Sequence, residues 1–181
     1  AQYAIDQFVL RGGRLVVSVD PDSAMDTSPL VDAHGVVDDH DSDLHRLFTA
    51  WGVVYDPTKV VLDRSQALTI ELNGNNVIHP AMLGLGTQDL NHDDVVTASL
   101  QRVNVSTAGF FELSQDTRAR LMPLVQTSDD AAVVPSQRVR DAAAYPSVLT
   151  ENYQPTHDRY LPAAPLRDPF RPHAPRRRDP R

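Results

Sequence analysis

The strongest constraint on the fold of this chain is the order of three short segments at its start. Apolar side chains first recur with the spacing of one helix face, at Tyr3, Ala4, Ile5, Phe8 and Val9. Gly12-Gly13 is typical of a helix C-terminus. A nearly continuous apolar run at residues 15–19 then ends at Asp20-Pro21. Helix, glycine pair and buried strand in this order predict an α/β domain whose sheet is covered on its faces.

A second helix is predicted at residues 44–51, capped by Ser42 or Asp43. Four side chains share one face of this helix: Leu44, Leu47, Phe48 and Trp51. Gly52 ends the helix. The pattern predicts that this face, with Trp51, is buried against the sheet.

A β-hairpin is predicted where residues 68–72 alternate between apolar and polar side chains. The Asn-Gly-Asn-Asn turn at 73–76 returns the chain antiparallel through 77–79. Further strands are predicted at 53–55, 60–62, 103–105, 110–113 and 121–125, and a short helix at 136–144. The expected fold is therefore α/β, a mixed sheet with a β-hairpin elaboration.

The end of the chain differs in charge and in proline content from the rest. Residues 1–150 carry 20 acidic and 10 basic side chains, whereas residues 151–181 carry 4 and 7 and hold seven of the fourteen prolines. Prolines at this density exclude helix interiors and central strands. We expect a domain at 1–160 and an extended, mobile tail at 161–181. The three arginines at 176–178 suit a solvated terminus better than a nucleic-acid or membrane patch, and the net charge of −7 argues against nucleic acid as a partner.

Motifs of catalysis and of cofactor binding are absent from the sequence. The chain has no cysteine, which excludes disulfides and thiol catalysis. It has no nucleophile elbow, no phosphate-binding loop and no complete dinucleotide fingerprint. The sequence therefore predicts no catalytic residue and no cofactor.

A cluster of histidine and aspartate is the nearest approach to a metal site. Its members are Asp32, His34, Asp38, Asp39, His40, Asp41, Asp43 and His45. Such side chains bind zinc or manganese when they are correctly spaced, but no two histidines here lie one helical turn apart on a secure helix. We interpret the cluster as a solvated acidic loop and expect no bound metal.

Four polar residues are the candidate ligand-binding set: Asp20, Asp22, Thr127 and Ser128. Asp20 and the Thr127-Ser128 pair each follow a predicted strand, where open α/β sheets place ligand groups. If both strands run parallel, these residues share one rim and suit a neutral or cationic group or a protein surface. The alternative, favoured by how common such residues are at helix starts, is that they cap helices.

Several stretches together resemble the GldG-like auxiliary subunits of bacterial ABC transporters. Residues 4–17 match the family's unit of helix, Gly-Gly and apolar strand, followed by Asp. The Trp51-Gly52-Val53 turn, His79-Pro80 and the Leu-Val-Gln-Thr-Ser stretch at 124–128 are similar to later segments of the family. The resemblance covers residues 4–160.

The resemblance implies an extracytoplasmic or periplasmic domain of a membrane-anchored protein that works beside an ATPase and a permease. It implies a Rossmann-like, glutamine-amidotransferase-like fold and assigns no catalytic residue. Strands and a helix expected ahead of residue 1 are missing, which suggests a piece of a longer protein whose membrane contact lies outside this chain. The tail departs from the family at Pro162, Pro165 and Pro169, where relatives continue into an apolar segment and a membrane anchor.

The sequence thus predicts a non-enzymatic domain that binds a ligand or partner proteins of an ABC-type transport system. The alternative is a hydrolase-like or metal-binding enzyme on the same α/β fold, because an acid/base pair can come from distant positions. An oligomer is compatible with either function.

Overall fold

The computed structural model describes residues 2–23, 26, 30–32, 35–37 and 40–167, with only the backbone described for 30–32 and 35–37. Three α-helices and two 3-10 helices lie in these ranges: α1 (Gln2–Leu10), α2 (His45–Trp51), α3 (Ser136–Asp141), and the 3-10 helices Thr87–Asp89 and Pro146–Thr150. The strands are β1 (Leu30–Asp32), β2 (Gly35–Val37), β3 (Val53–Tyr55), β4 (Lys59–Asp63), β5 (Ala67–Leu72), β6 (Asn75–Gly86), β7 (Arg102–Ser106), β8 (Phe111–Leu113), β9 (Arg120–Leu121), β10 (Ala131–Pro135) and β11 (Leu166–Arg167).

The strands form small antiparallel sheets. Four are two-stranded, β1–β2, β3–β8, β4–β10 and β9–β11, and one has three strands in the order β5-β6-β7. Every strand pair in the described ranges is antiparallel. The α/β class is confirmed, but the Rossmann-like, glutamine-amidotransferase-like part of the expectation is not, because that fold requires parallel strands joined by crossover helices.

The predicted hairpin is confirmed as β5 and β6, with Leu72 opposite Asn75. Asn73 and Gly74 have φ angles of 52° and 78°. Two-residue hairpin turns of the type that matches strand twist need positive φ at both central residues, and Asn-Gly provides it with little strain. The local sequence therefore determines this turn.

The helix predicted before Gly52 is also confirmed, although no side-chain hydrogen bond caps its first turn. Gly52 has a φ of 71° and donates its N–H to the carbonyl of Thr49. Trp51 is 6% exposed, as predicted, and its indole N–H donates to Asp6 of α1 at 3.0 Å. α2 is thus packed on one side by strands and tied on the other to the first helix.

Three groups of buried apolar side chains form the core. One surrounds the β4–β10 pair: Val60, Leu62, Ala81, Val134, Val139, Ala142 and Leu149. A second, the aromatic cluster, is Leu47, Phe48, Trp51, Val53 and Tyr55. A third lies under the three-stranded sheet: Leu83, Leu85, Leu90 and Val125. Phe111 packs its ring 5.9 Å from that of Phe48 and 5.5 Å from that of Tyr55, which joins β8 to the aromatic cluster.

The buried strand predicted at residues 15–19 is wrong. The chain has no secondary structure from 13 to 20, and Val16 is 96% exposed. Val17 and Val19 still pack against the aromatic cluster. A strand exists only when another strand pairs with it, and none of the described strands pairs with this segment.

Two other predicted elements are shorter than expected. The strand predicted at 121–125 is reduced to β9 and to Val125, which bridges Leu90 and Ala163. The helix predicted at 136–144 ends at Asp141 as α3. Within the predicted tail, β11 pairs with β9. Residues 168–181 lie outside the described ranges, so the mobility of that part stays a prediction.

Candidate functional site

Asp20 organises the turn that it forms with Pro21 and Asp22. Its Oδ1 accepts hydrogen bonds from the Asp22 N–H at 2.9 Å and from the Thr107 hydroxyl at 3.4 Å. Its own backbone pairs with Ser42, because the Asp20 N–H donates to Oγ and the Asp20 carbonyl accepts from the Ser42 N–H, both at 2.8 Å. Partial burial raises the pKa of the Asp20 carboxyl, and the charge of Asp22 adds to this, against the lowering effect of the two hydrogen bonds.

Asp22 is held from two directions. Arg140 of α3 donates to Asp22 Oδ1 at 3.3 Å, with side-chain exposures of 21% for Arg140 and 15% for Asp22. The Thr107 hydroxyl donates to the Asp22 carbonyl at 2.9 Å. Thr107 has a φ of 49°, a conformation that costs a β-branched residue about 1–3 kcal/mol and that often marks a functional position. The charge of Asp22 is therefore compensated inside the chain.

Tyr55 brings a buried hydroxyl into the same region. The side chain is 9% exposed, and within the part of the chain that the structure describes its hydroxyl has no hydrogen-bond partner. The buried Oδ1 of Asp43 also has none there. Burial raises the pKa of Tyr55 far above its usual value, and four carboxylates raise it further: Asp20, Asp41, Asp43 and Asp56. We call Asp20, Asp22, Asp43 and Tyr55 the acidic corner.

Gly109 allows the Tyr55 ring and the Asp20 turn to approach each other. A Cβ at this position would lie 2.8 Å from Tyr55 Cε2 and 3.0 Å from Pro21 Cγ. Pro21 is fully buried. Any side chain at 109 would thus push the ring and the turn apart.

Ser128 lies elsewhere, beside the fully buried carboxylate of Asp63. Asp63 Oδ2 accepts from the Ser128 N–H at 2.7 Å and Oδ1 from its hydroxyl at 2.9 Å. Oδ1 also accepts from the Ser65 N–H and hydroxyl and from the Gln66 N–H, at 3.0–3.1 Å. The Ser128 Oγ in turn accepts the Asp130 N–H at 3.1 Å. We call Asp63, Ser65 and Ser128 the Asp63 junction, and its polar atoms are used within the chain.

Thr127 is fully buried and fixes the segment that carries Tyr160. Its Oγ1 accepts the Tyr160 N–H at 2.9 Å, and its N–H donates to the Tyr160 carbonyl at 3.0 Å. Arg159 donates to the Thr127 carbonyl at 2.7 Å and to Asp89 Oδ1 at 3.2 Å. Asp89 is 3% exposed. Thr127 therefore holds a late part of the chain against the core.

The structure does not bring the four candidate residues to one rim. Arg140, the partner of Asp22, belongs to α3, which begins where β10 ends at Pro135 opposite Lys59. Asp63, the partner of Ser128, lies opposite Ala131 at the other end of the same ladder. The prediction of a shared rim required parallel strands at 15–19 and 121–125. Residues 13–20 form no strand, and what remains of the second strand, β9 and the Val125 bridges, pairs antiparallel.

The helix-capping interpretation is wrong for Thr127 and Ser128, and among the described residues no helix follows Asp20 before α2. The first element after Ser128 is β10, and the first described element after the Asp20 turn is β1. The carboxylate of Asp20 and the hydroxyl of Ser128 each accept the N–H two residues ahead, as in turns. Both residues close turns instead of starting helices.

Other side chains of these two regions were missed from the sequence: Tyr55, Thr107, Asp63, Asp89, Arg140 and Arg159. Asp63 directly follows the apolar run at 60–62, the same signal that selected Asp20. Thr107 and Arg159 carry no comparable local signal, since their partners lie 85 and 70 residues away in sequence.

The histidine and aspartate cluster falls partly outside the described residues. His34, Asp38 and Asp39 lie outside the described residues, and only the backbone of Asp32 is described. Across the residues whose placement is given, no group of three or more His, Asp or Glu side chains is arranged to hold a metal ion.

A cavity of about 320 Å³ lies next to the Arg140 side of the acidic corner. Its lining includes Thr58, Lys59, Pro135, Gln137 and Arg140. Because Arg140 also binds Asp22, a molecule in this cavity would contact the residue that compensates the Asp22 charge.

The comparison with protein families identifies the chain. A family model described as an ABC-type uncharacterized transport system, for an auxiliary component, matches residues 1–181. The chain belongs to this family. Nothing among curated proteins or solved structures matches. For this member of the auxiliary transport family, none of the helices in the described ranges is long and apolar enough to cross a membrane.

Proposed function

We propose that this chain is a non-enzymatic, partner-binding domain of an auxiliary protein of an ABC-type transport system, at the extracytoplasmic face of the membrane. The family match over 1–181 supports the transport role. The proposed partners are the permease and the ATPase. The permease is the subunit that a domain on that face meets directly, and the ATPase is reached through it.

The observation that carries a binding role is the pair of unsatisfied groups in the acidic corner. Buried polar atoms of native proteins nearly always have partners, and each one left unpaired costs about 1–3 kcal/mol. The Tyr55 hydroxyl and Asp43 Oδ1 are both unpaired within the described residues. Both atoms are shielded from solvent, so a donor of a partner reaches them only when docking opens the corner, and it would then remove this cost.

The chemistry of the corner favours a cationic group. Asp22 already has Arg140 as its partner, whereas both hydrogen bonds that the Asp20 carboxylate accepts in the described chain fall on Oδ1. A lysine or arginine of the partner would stabilise the ionised form of Asp20, which partial burial disfavours. Thr127 and Ser128 are weaker candidates for contact because their polar groups are used within the chain.

The test is binding of the full membrane-anchored protein to the permease–ATPase complex in detergent, measured by biolayer interferometry. Loss of one charge-assisted bond weakens binding by about tenfold, equivalent to about 1.4 kcal/mol. We therefore expect Asp20→Asn to raise Kd by about tenfold, and Asp20→Lys to raise it further by placing two cations together. Each variant is first checked for wild-type circular dichroism.

The matched control is Asp93→Asn, an exposed aspartate far along the chain, which should leave Kd unchanged. An unchanged Kd in folded Asp20→Asn and Asp20→Lys would contradict the assigned site. Absence of any complex with the wild-type protein would contradict the proposed function itself.

A further inference from the structure

Residues 14–19 have the sequence and the contacts of a strand, but no described strand pairs with them. Their backbone N–H and C=O groups make no hydrogen bond within the described chain. Val17 and Val19 pack on the aromatic cluster, whereas Val16 and Ser18 are exposed. Side chains that alternate in this way have the two-residue period of a strand. Unpaired backbone along an apolar segment is a template for another strand.

Within the described ranges, one edge of this segment has no hydrogen-bond partner. The backbone N–H and C=O of Asp20 both face Ser42. Successive residues of a strand direct these groups to opposite edges, so those of residues 15, 17 and 19 point away from Ser42. An incoming strand would bond to these three residues.

The segment is complementary to a second copy of itself. We infer that residues 14–19 pair antiparallel with the same residues of a second chain, centred on Val17. In this register Val17 lies opposite Val17, Val16 opposite Ser18, and Leu15 opposite Val19. The register also places Arg14 opposite Asp20 of the other copy. In this one respect the inference rests on the proposed function, since it uses Asp20 as the acceptor for a basic side chain.

Apolar surface next to the segment supports the same occupant. Phe8 packs its ring over Gly13 at the start of the segment and remains 53% exposed. Leu15 is 41% and Val16 96% exposed. Two paired six-residue strands bury less surface than a standard interface of about 1,600 Å². The exposed apolar side chains enlarge the contact. Because the interface stays small, we expect a dimer that dissociates on dilution.

The absence of native cysteine allows a register-specific test. Val16 and Ser18 of the other copy form a pair without mutual hydrogen bonds, with Cα atoms about 4.5 Å apart, which suits a disulfide. The Cα atoms of residue 16 in the two copies lie farther apart, at about 7 Å or more, and so do those of residue 18. Both side chains are exposed, so neither replacement disturbs the core.

The experiment mixes purified Val16→Cys and Ser18→Cys proteins in a 1:1 ratio under mild oxidation. We expect a covalent dimer of twice 20.0 kDa to form at least about tenfold faster than with either variant alone, because only the mixture brings two thiols within disulfide distance. Val95→Cys, at a position 90% exposed, is the control for collision. Sedimentation equilibrium of the wild-type chain should show reversible dimerisation, which Val16→Glu weakens by about tenfold or more.

Equal cross-linking rates in the mixture and in the single variants would overturn the register. A monomeric mass at every concentration would overturn self-pairing, and cross-linking of Val16→Cys to a transport subunit in membranes would then assign the edge to that subunit. Mass and cross-linking are measured on the isolated chain without transport subunits, so failure of self-pairing is distinguishable from failure of the Asp20→Asn binding test.

Discussion

The Asp63 junction and the acidic corner both contain a buried or half-buried carboxylate, and the environment of that carboxylate differs. Five hydrogen bonds from Ser65, Gln66 and Ser128 satisfy Asp63. In the acidic corner, Asp20 is partly desolvated, and the buried Tyr55 hydroxyl has no partner in the described chain. A saturated polar group stabilises the fold and has little left to offer a ligand, whereas an unsaturated one costs stability and retains binding capacity.

The largest effect is expected at the junction. Asp63→Ala removes the fully buried carboxylate that accepts five hydrogen bonds from three residues, and we expect it to lower the free energy of unfolding by about 3 kcal/mol. Urea denaturation measures this. Asp129→Ala, an exposed neighbour, should change stability by no more than about 0.5 kcal/mol. Similar losses of unfolding free energy in the two variants would contradict a stabilising role of the Asp63 junction.

A smaller loss is expected at the acidic corner from Gly109→Ala. The added methyl group would lie 2.8 Å from the Tyr55 ring, and overpacking of this kind costs about 1–3 kcal/mol. Gly86→Ala is the matched control, because its Cβ would meet no atom closer than 4.0 Å. Thermal unfolding of the two variants compares them directly, and equal melting temperatures would contradict the tight approach of ring and turn.

Removal of the hydroxyl should change the free energy of unfolding in opposite directions at two tyrosines. The Tyr153 hydroxyl donates to the carbonyls of Leu62 and Asp130, near the junction, so Tyr153→Phe should destabilise the protein by about 1 kcal/mol. Tyr55→Phe removes a buried hydroxyl that has no partner in the described chain. It should leave stability unchanged or raise it by up to about 1 kcal/mol. Destabilisation by Tyr55→Phe would show that this hydroxyl has a partner in the isolated chain.

The smallest expected effect is a pH dependence of opposite sign at two aspartates. Burial raises the pKa of Asp20 above 3.8, so its contribution to stability is present below pH 3.8 and is lost as pH rises through the folded-state pKa. The Thr58 hydroxyl lowers the pKa of Asp56, so its contribution is present above pH 3.8 and is lost as pH falls through the folded-state pKa.

The measurement is the melting temperature of each Asn variant relative to wild type across this pH range. Asp20→Asn should gain on wild type as pH rises, and Asp56→Asn should gain on wild type as pH falls. Parallel curves for the two variants would contradict the different environments of these carboxyls.

The sequence predicted those elements whose determinants are local. The Asn73-Gly74 turn, the helix ended by Gly52 and the strands on either side of Asp56-Pro57 each depend on residues within one or two turns of the chain. The burial of Trp51 followed from the spacing of its helix face. Such features need no knowledge of distant partners.

Features that depend on distant partners were not predicted. Asp63 and Ser128 are 65 residues apart, and no periodicity relates them. The apolar run at 15–19 has strong strand propensity, but propensity does not supply the second strand that a ladder requires. The position of Asp20 after that run selects it as a candidate, although the run forms no strand. Tyr55 is not selected, because a single tyrosine in a strand gives no sign that its hydroxyl lacks a partner.

The hydrogen bond between Trp51 and Asp6 makes the aromatic ring an optical reporter of the first helix. Trp51 is the single tryptophan of the chain, and α1 has no buried residue of its own. Detachment of α1 would expose the indole to water and remove the carboxylate from its N–H, so emission would shift to longer wavelength. Intrinsic fluorescence therefore reports on the docking of this helix as well as on the aromatic cluster that contains Trp51.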